Sequence, residues 1–555
     1  MKQRSCPVVA AAGLAVACSS PALAQSRAVA THTDAADPVA GAIVVRGLPA
    51  SGASGGSDER GGIAQLPGFP ITIGRHPNFV PWRGPALVDL DGDGDLELLQ
   101  SSTEGRLYAW HHDATPVAGF PVATTGFPQY PPAVADMDGD GDPEIVLHTR
   151  GLTSGGRLYV LDHTGAVLPG FPLSFSNENV ESSPALFDLD GDGQLEILST
   201  VRDYPIGYLH VVELDGSTWG GNWPVTLSHV PTGTVAVADV DVDGEAEIFC
   251  MSYDRMYLLK PDGTAEAGWP RGISGANFSY QSAALADLDG DEDLEIALAA
   301  HQSAAGAYVF HHDGSLASGW PFLFDTWSYC APTVTDLEGD GALEVIAGQA
   351  GIFFGESDCF WVWDADGDTR PGFPYRQLSH GGGSEGPLTV ADIDGDGVME
   401  IFADHNVMEA DQGYLFGVDA AGNDLPGFPL RPRGFTYLNS ATIADVDGNG
   451  TYELGVTSYS DGSVDVNLYT LPTSYSSTGR EWPTYHSRYT RDGLFAPGSE
   501  CYADFNADGA VDTRDVIAFL NAWNAQNAGA DCDGNGLIDT RDVICFLNAW
   551  NEGCP

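Results

Sequence analysis

The chain carries the stretch Asp89-Leu90-Asp91-Gly92-Asp93-Gly94-Asp95-Leu96-Glu97, and seven variants of these nine residues follow it. They begin at Asp136, Asp188, Asp239, Asp287, Asp336, Asp392 and Asp445, at spacings of 47, 52, 51, 48, 49, 56 and 53 residues. A sustained period of about 50 residues marks a repeat architecture. Each copy sets acidic oxygens on alternate residues of a short loop, where uncompensated carboxylates would repel one another. A hard cation resolves that repulsion, and oxygen-only donors of this kind suit Ca2+.

Carboxylates at positions 1, 3 and 5 converge, position 7 offers its backbone carbonyl, and position 9 adds the last carboxylate. Glycine at position 6 permits the positive φ of the turn. The candidate ligands of the first loop are Asp89, Asp91, Asp93, Asp95 and Glu97; of the second, Asp136, Asp138, Asp140, Asp142 and Glu144; of the third, Asp188, Asp190, Asp192, Gln194 and Glu196. The fourth offers Asp239, Asp241, Asp243, Glu245 and Glu247; the fifth, Asp287, Asp289, Asp291, Asp293 and Glu295; the sixth, Asp336, Glu338, Asp340, Ala342 and Glu344. Asp392, Asp394, Asp396, Val398 and Glu400 form the seventh set, and Asp445, Asp447, Asn449, Thr451 and Glu453 the eighth. Val242 replaces a glycine in the fourth loop, Glu292 stands at position 6 of the fifth, and Asn449 removes a charge from the eighth. The fifth and eighth loops are expected to bind most weakly.

Between loops the pattern is that of short strands. An apolar run such as Pro184-Ala185-Leu186-Phe187 leads into the loop, and a second such as Glu295-Ile296-Ala297-Leu298 leaves it. A third is aromatic and β-branched, as in Leu158-Tyr159-Val160-Leu161. Asp-Gly turns at Asp215, Asp262 and Asp313 follow it, a strong hairpin signal. A Gly-aromatic-Pro element then ends most units, from Gly119-Phe120-Pro121 to Gly427-Phe428-Pro429. Four strands per unit and eight units predict an all-β fold, a β-propeller of eight blades, with seven blades or an open solenoid as alternatives. An unmatched Gly68-Phe69-Pro70 precedes the first loop, and Trp482-Pro483 follows the last, so either end could close the ring.

Residues 63–495 resemble the FG-GAP and VCBS repeats of integrin α-subunit propellers and many secreted bacterial proteins. The resemblance implies calcium in the blade loops and frequent use in adhesion or ligand binding, without settling function. Calcium between strands usually fixes backbone, so the sites are read as structural braces. His111-His112 and His311-His312 follow aromatic strands and are read as turn residues rather than ligands. Trp82, Trp219, Trp223, Trp327 and Tyr329 stand outside the strand pattern, either as packing or as a sugar-binding face.

After Ala496-Pro497-Gly498-Ser499 the pattern changes. Asp504, Asn506, Asp508, Ala510, Asp512 and Asp515 fill the ligand positions of a twelve-residue EF-hand-type loop. Asp531, Asp533, Asn535, Leu537, Asp539 and Asp542 repeat it 27 residues later, and each loop runs into a short apolar helix. Residues 501–555 resemble a type I dockerin, a small α-helical module of paired EF-hand-like loops. That resemblance implies a cohesin-like partner recognised through Thr513, Arg514, Thr540 and Arg541. Cys501, Cys532, Cys545 and Cys554 depart from the usual pattern and suggest two disulfides, with three connectivities open. A cell-surface anchoring or sorting role is the alternative.

The formal charge is −55, from 23 basic and 78 acidic residues. Half of those acids stand at the ligand positions above, and about ten bound Ca2+ would bring the charge to about −35. Nucleic acid is excluded as a partner, because no basic patch exists to meet phosphates. Lys2, Arg4, the apolar Val8 to Ala17 and Ala22-Leu23-Ala24 read as a signal peptide over residues 1–24, with Cys18 leaving a lipoprotein alternative open. Residues 25–62 read as a flexible lead-in, 496–500 as a linker, and no later run is long enough for a membrane span.

The expected protein is therefore secreted or displayed at the cell surface, a calcium-binding adhesion module whose ligand is a polysaccharide or a surface protein. A polysaccharide-degrading lyase or glycosidase on the same scaffold is the alternative, and a purely structural surface protein a third. Arg431, Arg433 and Tyr437 are the nearest approach to a cluster of repeat-breaking reactive side chains.

Overall fold

The computed structural model describes residues 27–32, 43–46, 63–151, 155–175, 182–351, 358–377, 381–474 and 480–494, with ten positions of the C-terminal segment. Each acidic loop joins a three-residue inner strand to a longer second strand. In the first unit the strands Ala86–Val88, Glu97–Ser102, Arg106–Trp110 and Val122–Ala123 pair in that order, antiparallel throughout. The position-9 glutamate opens the second strand in seven units and lies within Thr451–Ser460 in the eighth. An antiparallel sheet of three to five strands recurs eight times around the ring, so eight blades are present rather than seven. Inner strands of neighbouring blades touch, and the inner strand of the eighth, Thr442–Ala444, meets that of the first. The ring is closed, which excludes the open solenoid.

Closure comes from both ends of the repeat region. The eighth blade takes Thr451–Ser460 and Ser463–Ser474 from its own unit. Its outer positions are filled from the N-terminal side, by Ala64–Gln65 and Ile71–Gly74, with Val464 opposite Ile73. Gly68-Phe69-Pro70 is thus the outer element of the eighth blade. Asn222-Trp223-Pro224 supplies the element of the third, its indole donating to Pro261 O at 2.8 Å. The glycine of this element meets the turn of the next blade at close range. A Cβ on Gly119, at φ +93°, would stand 2.1 Å from Thr164 O, so only glycine fits there.

The second closure is the segment 480–494, which lies against all eight inner strands. Thr335 Oγ1 donates to Arg480 O, Val390 N to Trp482 O and Ile443 N to Pro483 O, in the sixth, seventh and eighth blades. Leu87 N then donates to Tyr489 Oη, Val134 N to Tyr489 O, Leu186 N to Thr490 O, Val237 N to Asp492 O and Leu285 N to Gly493 O, through the first to fifth. Inner strands have no strand neighbour on the side facing the centre of the ring, and their N–H groups there would otherwise be left without partners. Trp482, Thr484, Tyr485, His486 and Arg491 of this segment are all buried. Arg491 donates to Pro132 O and Tyr485 O and lies over the Tyr489 ring. Burial lowers its pKa to about 10.

Between blades, aliphatic and aromatic side chains of the second and third strands form the core. Leu99, Leu107, Ile145 and Leu161 pack together between the first two blades. Each such residue contributes about 1.5–3 kcal/mol by leaving water. Cys250, Cys330 and Cys359 are buried thiols in this core. Two strands, Arg27–His32 and Ile43–Arg46, fall within the segment expected to be flexible, and the first pairs with Val407–Glu409 of the seventh unit.

In the C-terminal segment Val516, Phe519, Leu520 and Trp523 are helical, as are Thr540, Arg541, Val543, Phe546, Leu547 and Trp550. Spacings of three, four and seven put the apolar residues of each set on one helical face. Phe519 and Phe546 stack at 4.2 Å with an interplanar angle of 3°. The two expected loops, 504–515 and 531–542, lie outside the described residues apart from Thr540 and Arg541, which are exposed and helical.

Candidate metal centres

The eight acidic loops share one hydrogen-bond scheme, except that in the fourth and eighth Oδ1 of the first aspartate accepts from position 5 in place of position 4. In the first, Asp89 Oδ1 accepts from Gly92 N at 2.7 Å and Oδ2 from Gly94 N at 3.0 Å. Asp93 Oδ1 accepts from Asp95 N at 3.0 Å, and Glu97 Oε2 from Leu90 N at 2.8 Å. Positions 1, 5 and 9 therefore each fold the backbone around their own carboxylates. Positions 4 and 6 are left-handed, so Val242 at φ +56° and Glu292 at φ +81° hold conformations that glycine holds in the other loops. The loops lie side by side. Leu96 N donates to Val446 O of the eighth loop at 2.8 Å, and Leu294 N to Val240 O of the fourth at 2.9 Å.

Electrostatics mark these loops as wanting positive charge. The position-9 carboxylates are buried, and burial pushes Glu144, Glu196 and Glu453 up to about 7, and Glu247 and Glu400 up to about 8. Neighbouring aspartates add to the shift. A cation among the oxygens would reverse it.

The residues fit such a cation. Asp136, Asp138 and Glu144 each bring a ligand atom within 4.8 Å of the others, as do Asp188, Asp190 and Glu196. In the fourth loop Glu247 is fully buried, and its Oε1 has no hydrogen-bond partner while Oε2 accepts from Val240 N at 3.0 Å. An orphaned anionic oxygen is costly, and bound metal would satisfy it. In the second, third, fourth, seventh and eighth loops no histidine or arginine reaches the buried glutamate, and its oxygen neighbours are the set a hard divalent ion takes; His163 and His312 stand at the rims of the second and fourth, 3.6 Å from Asp142 and 3.9 Å from Asp241.

The other three loops differ, in ways their spacing did not reveal. In the sixth, the Arg370 guanidinium pairs with both Glu338 and Glu344, the residues at positions 3 and 9. Arg480 adds bonds to Asp336 O at 3.0 Å and to Gly397 O at 2.7 Å. A fixed side-chain cation thus holds the expected metal ligands Glu338 and Glu344. In the first loop His111 Nδ1 lies 2.8 Å from Glu97 Oε1, and in the fifth His311 Nδ1 lies 2.9 Å from Glu295 Oε1. The sequence reads these histidines as turn residues; they sit at the turn and face the loop as well. Strand register carries the missed signal. Leu98 pairs with Trp110 and Ile296 with Phe310, so Glu97 and Glu295 are brought to the start of the histidine turns.

Other single-copy residues are structural. Trp82, Trp223 and Tyr329 are buried, and Trp82 packs edge-on to Tyr130 and Tyr280. Arg431 lies 3.7 Å over the Tyr414 ring, and Arg433 makes a bidentate pair with Asp465. Tyr437 is buried and donates to Glu385 at 3.2 Å. Burial pushes Glu385 up to about 8 and Asp404 beside it to about 7.

A family model described as "FG-GAP-like repeat" matches residues 89–147, 188–250 and 239–298. No curated protein sequence matches the chain. Among solved structures, the V. cholerae biofilm matrix protein Bap1 superposes with a TM-score of 0.54 at 15% identity, covering 81% of this chain and 96% of that one. The exotype rhamnogalacturonan lyase YesX superposes with a TM-score of 0.52 at 15% identity, covering 79% of this chain and 82% of that one. At this identity the likeness is one of fold. No helix among the described residues is long and apolar enough to cross a membrane. The chain folds as an eight-bladed β-propeller that carries FG-GAP-like repeats within residues 89–298, with acidic clusters able to hold metal ions.

Proposed function

We propose that this protein is an exported, calcium-braced propeller that serves as a binding and adhesion module outside the cell. The carrying observation is the eightfold acidic loop, whose buried glutamates fold backbone and, in five loops, are reached by no histidine or arginine. Repetition in every blade suits a brace, since a catalytic centre needs one constellation that differs from its surroundings. Calcium is the ion assigned to these five loops, by ligand type and by the resemblance of the repeats. In this reading Glu247 Oε1 of the fourth loop turns to the ion.

The C-terminal segment is the docking element of the same reading. Its two helical sets, 27 residues apart, stack Phe519 on Phe546, as expected of a duplicated dockerin-like module. Arg541 is exposed, the state that recognition by a cohesin-like or cell-surface partner requires. Polysaccharide is the ligand class assigned to the propeller. The two structural neighbours carry different activities, so their shared fold does not choose between binding and cleavage. A panel of polysaccharides incubated with the full chain in calcium separates the two. Retention of a glycan without chain shortening is the expected result. Release of shortened or unsaturated products would replace the adhesion reading with a lyase or glycosidase.

A further inference from the structure

The eight loops divide by what meets the second oxygen of their buried glutamate. In the fourth loop nothing meets it, and in the sixth it is a guanidinium, which has no lone pair to offer a metal. In the first and fifth it is imidazole. Asp91, Glu97 and His111 bring one ligand atom each within 4.8 Å of one another, and Asp289, Glu295 and His311 repeat the group four blades away. We propose that the first and fifth loops are mixed imidazole–carboxylate sites that take a transition divalent cation of the Zn2+ and Co2+ class, while the all-oxygen loops take calcium.

Donor chemistry separates the two classes. Ca2+ takes six to eight oxygens, whereas Zn2+ and Co2+ accept imidazole nitrogen with carboxylate in four-coordinate sites. Two carboxylates and one imidazole supply three such ligands, and in the first loop Asp89 and Asp93 cluster with Asp91 to offer a fourth. Each site also has a second imidazole at its rim. His112 Nδ1 lies 3.1 Å from Asp95 Oδ2, and His312 Nε2 lies 3.2 Å from Asp293 Oδ2. His112 Nδ1 is shut off from water and lacks hydrogen-bond geometry to any partner. By contrast His163, beside the second loop, reaches only the exposed Asp142, at 3.6 Å, and not the buried Glu144.

The turns that carry these histidines are preset. His111 N donates to Thr115 O and His311 N to Ser315 O, both at 2.9 Å. Asp113 and Asp313 accept from the N–H groups of Thr115 and Ser315 at 2.9 and 2.7 Å. The strand end fixes the backbone of His111 and His311, so each imidazole faces the loop of its own blade. Both side chains keep about a third of their surface open, which leaves a path for the ion.

Equilibrium dialysis of the full chain against Co2+ in excess calcium, followed by metal analysis and visible spectroscopy, tests the assignment. Two equivalents of Co2+ should be retained, with the d–d absorption of a low-symmetry site. His111→Gln and His311→Gln should each remove one equivalent, and the double variant both. Two outcomes would overturn the proposal: wild-type protein that retains less than one equivalent, or a double variant that retains as much as wild type. The wild-type measurement decides even where a variant fails to fold. Calcium binding by the all-oxygen loops is counted separately, so failure here leaves the calcium reading standing, and the reverse.

Discussion

The acidic loops and the segment 480–494 hold the same ring together in opposite ways. A loop is local and repeated: its nine residues fold on their own carboxylates, and losing one leaves seven. The segment occurs once and touches every blade, through bonds from Thr335, Val390, Ile443, Leu87, Val134, Leu186, Val237 and Leu285. Redundant parts tolerate change singly, whereas a shared part transmits one loss to the whole ring. The sixth, first and fifth loops also show that repetition of sequence is not repetition of chemistry, since Arg370, His111 and His311 reach the position-9 glutamates Glu344, Glu97 and Glu295 from outside the motif.

Trp482→Ala is expected to have the largest effect. The side chain is 1% exposed in the main core cluster, and truncating such a residue costs about 3–5 kcal/mol. Denaturant unfolding should show this loss with and without calcium. A loss below about 1 kcal/mol would mean that the segment is an ornament of the ring. Glu247→Gln should come next. It should remove one calcium equivalent and about 2–3 kcal/mol at a hundredfold excess over Kd, with much of that loss absent in EDTA. Equal losses in both conditions would assign Glu247 a packing role instead.

The buried acid Glu385 predicts a pH effect. Its folded pKa is raised from 4.5 to about 8, so the folded state holds the proton more tightly than the unfolded one. The resulting stability is complete below about pH 4.5 and disappears as the pH rises through about 8. Glu385→Gln stays neutral, so its melting temperature should rise relative to wild type between pH 5 and pH 8. A constant difference would contradict the raised pKa. The smallest change is at Glu292, whose left-handed backbone costs about 1 kcal/mol relative to glycine. Glu292→Gly should raise the melting temperature slightly, by thermal unfolding in calcium.

Much of the ring was legible in the sequence because a repeat states its own grammar eight times. Loop spacing, the β-type runs and the Asp-Gly turns specify strands without reference to distant residues. What stayed open was long-range: Gly68-Phe69-Pro70 and Trp482-Pro483 mark two candidate closing ends, and only the contacts show that both take part. Ile71–Gly74 completes a blade whose other strands begin some 370 residues later, and the segment 480–494 has no periodic pattern to announce it. Trp82 and Tyr329 stand outside the repeat for the same reason, and burial rather than ligand contact explains them. The histidine contacts were within reach, because counting the Leu98–Trp110 register brings Glu97 to His111.

Calcium removal tests the central claim most directly. The claim is that the all-oxygen loops are cation-dependent braces, so metal analysis and thermal unfolding of the full chain, before and after EDTA, bear on it together. Several equivalents of bound calcium and a large fall in melting temperature on chelation, restored by added Ca2+, are the predicted result. An unchanged melt in EDTA, with no calcium in the purified protein, would contradict it.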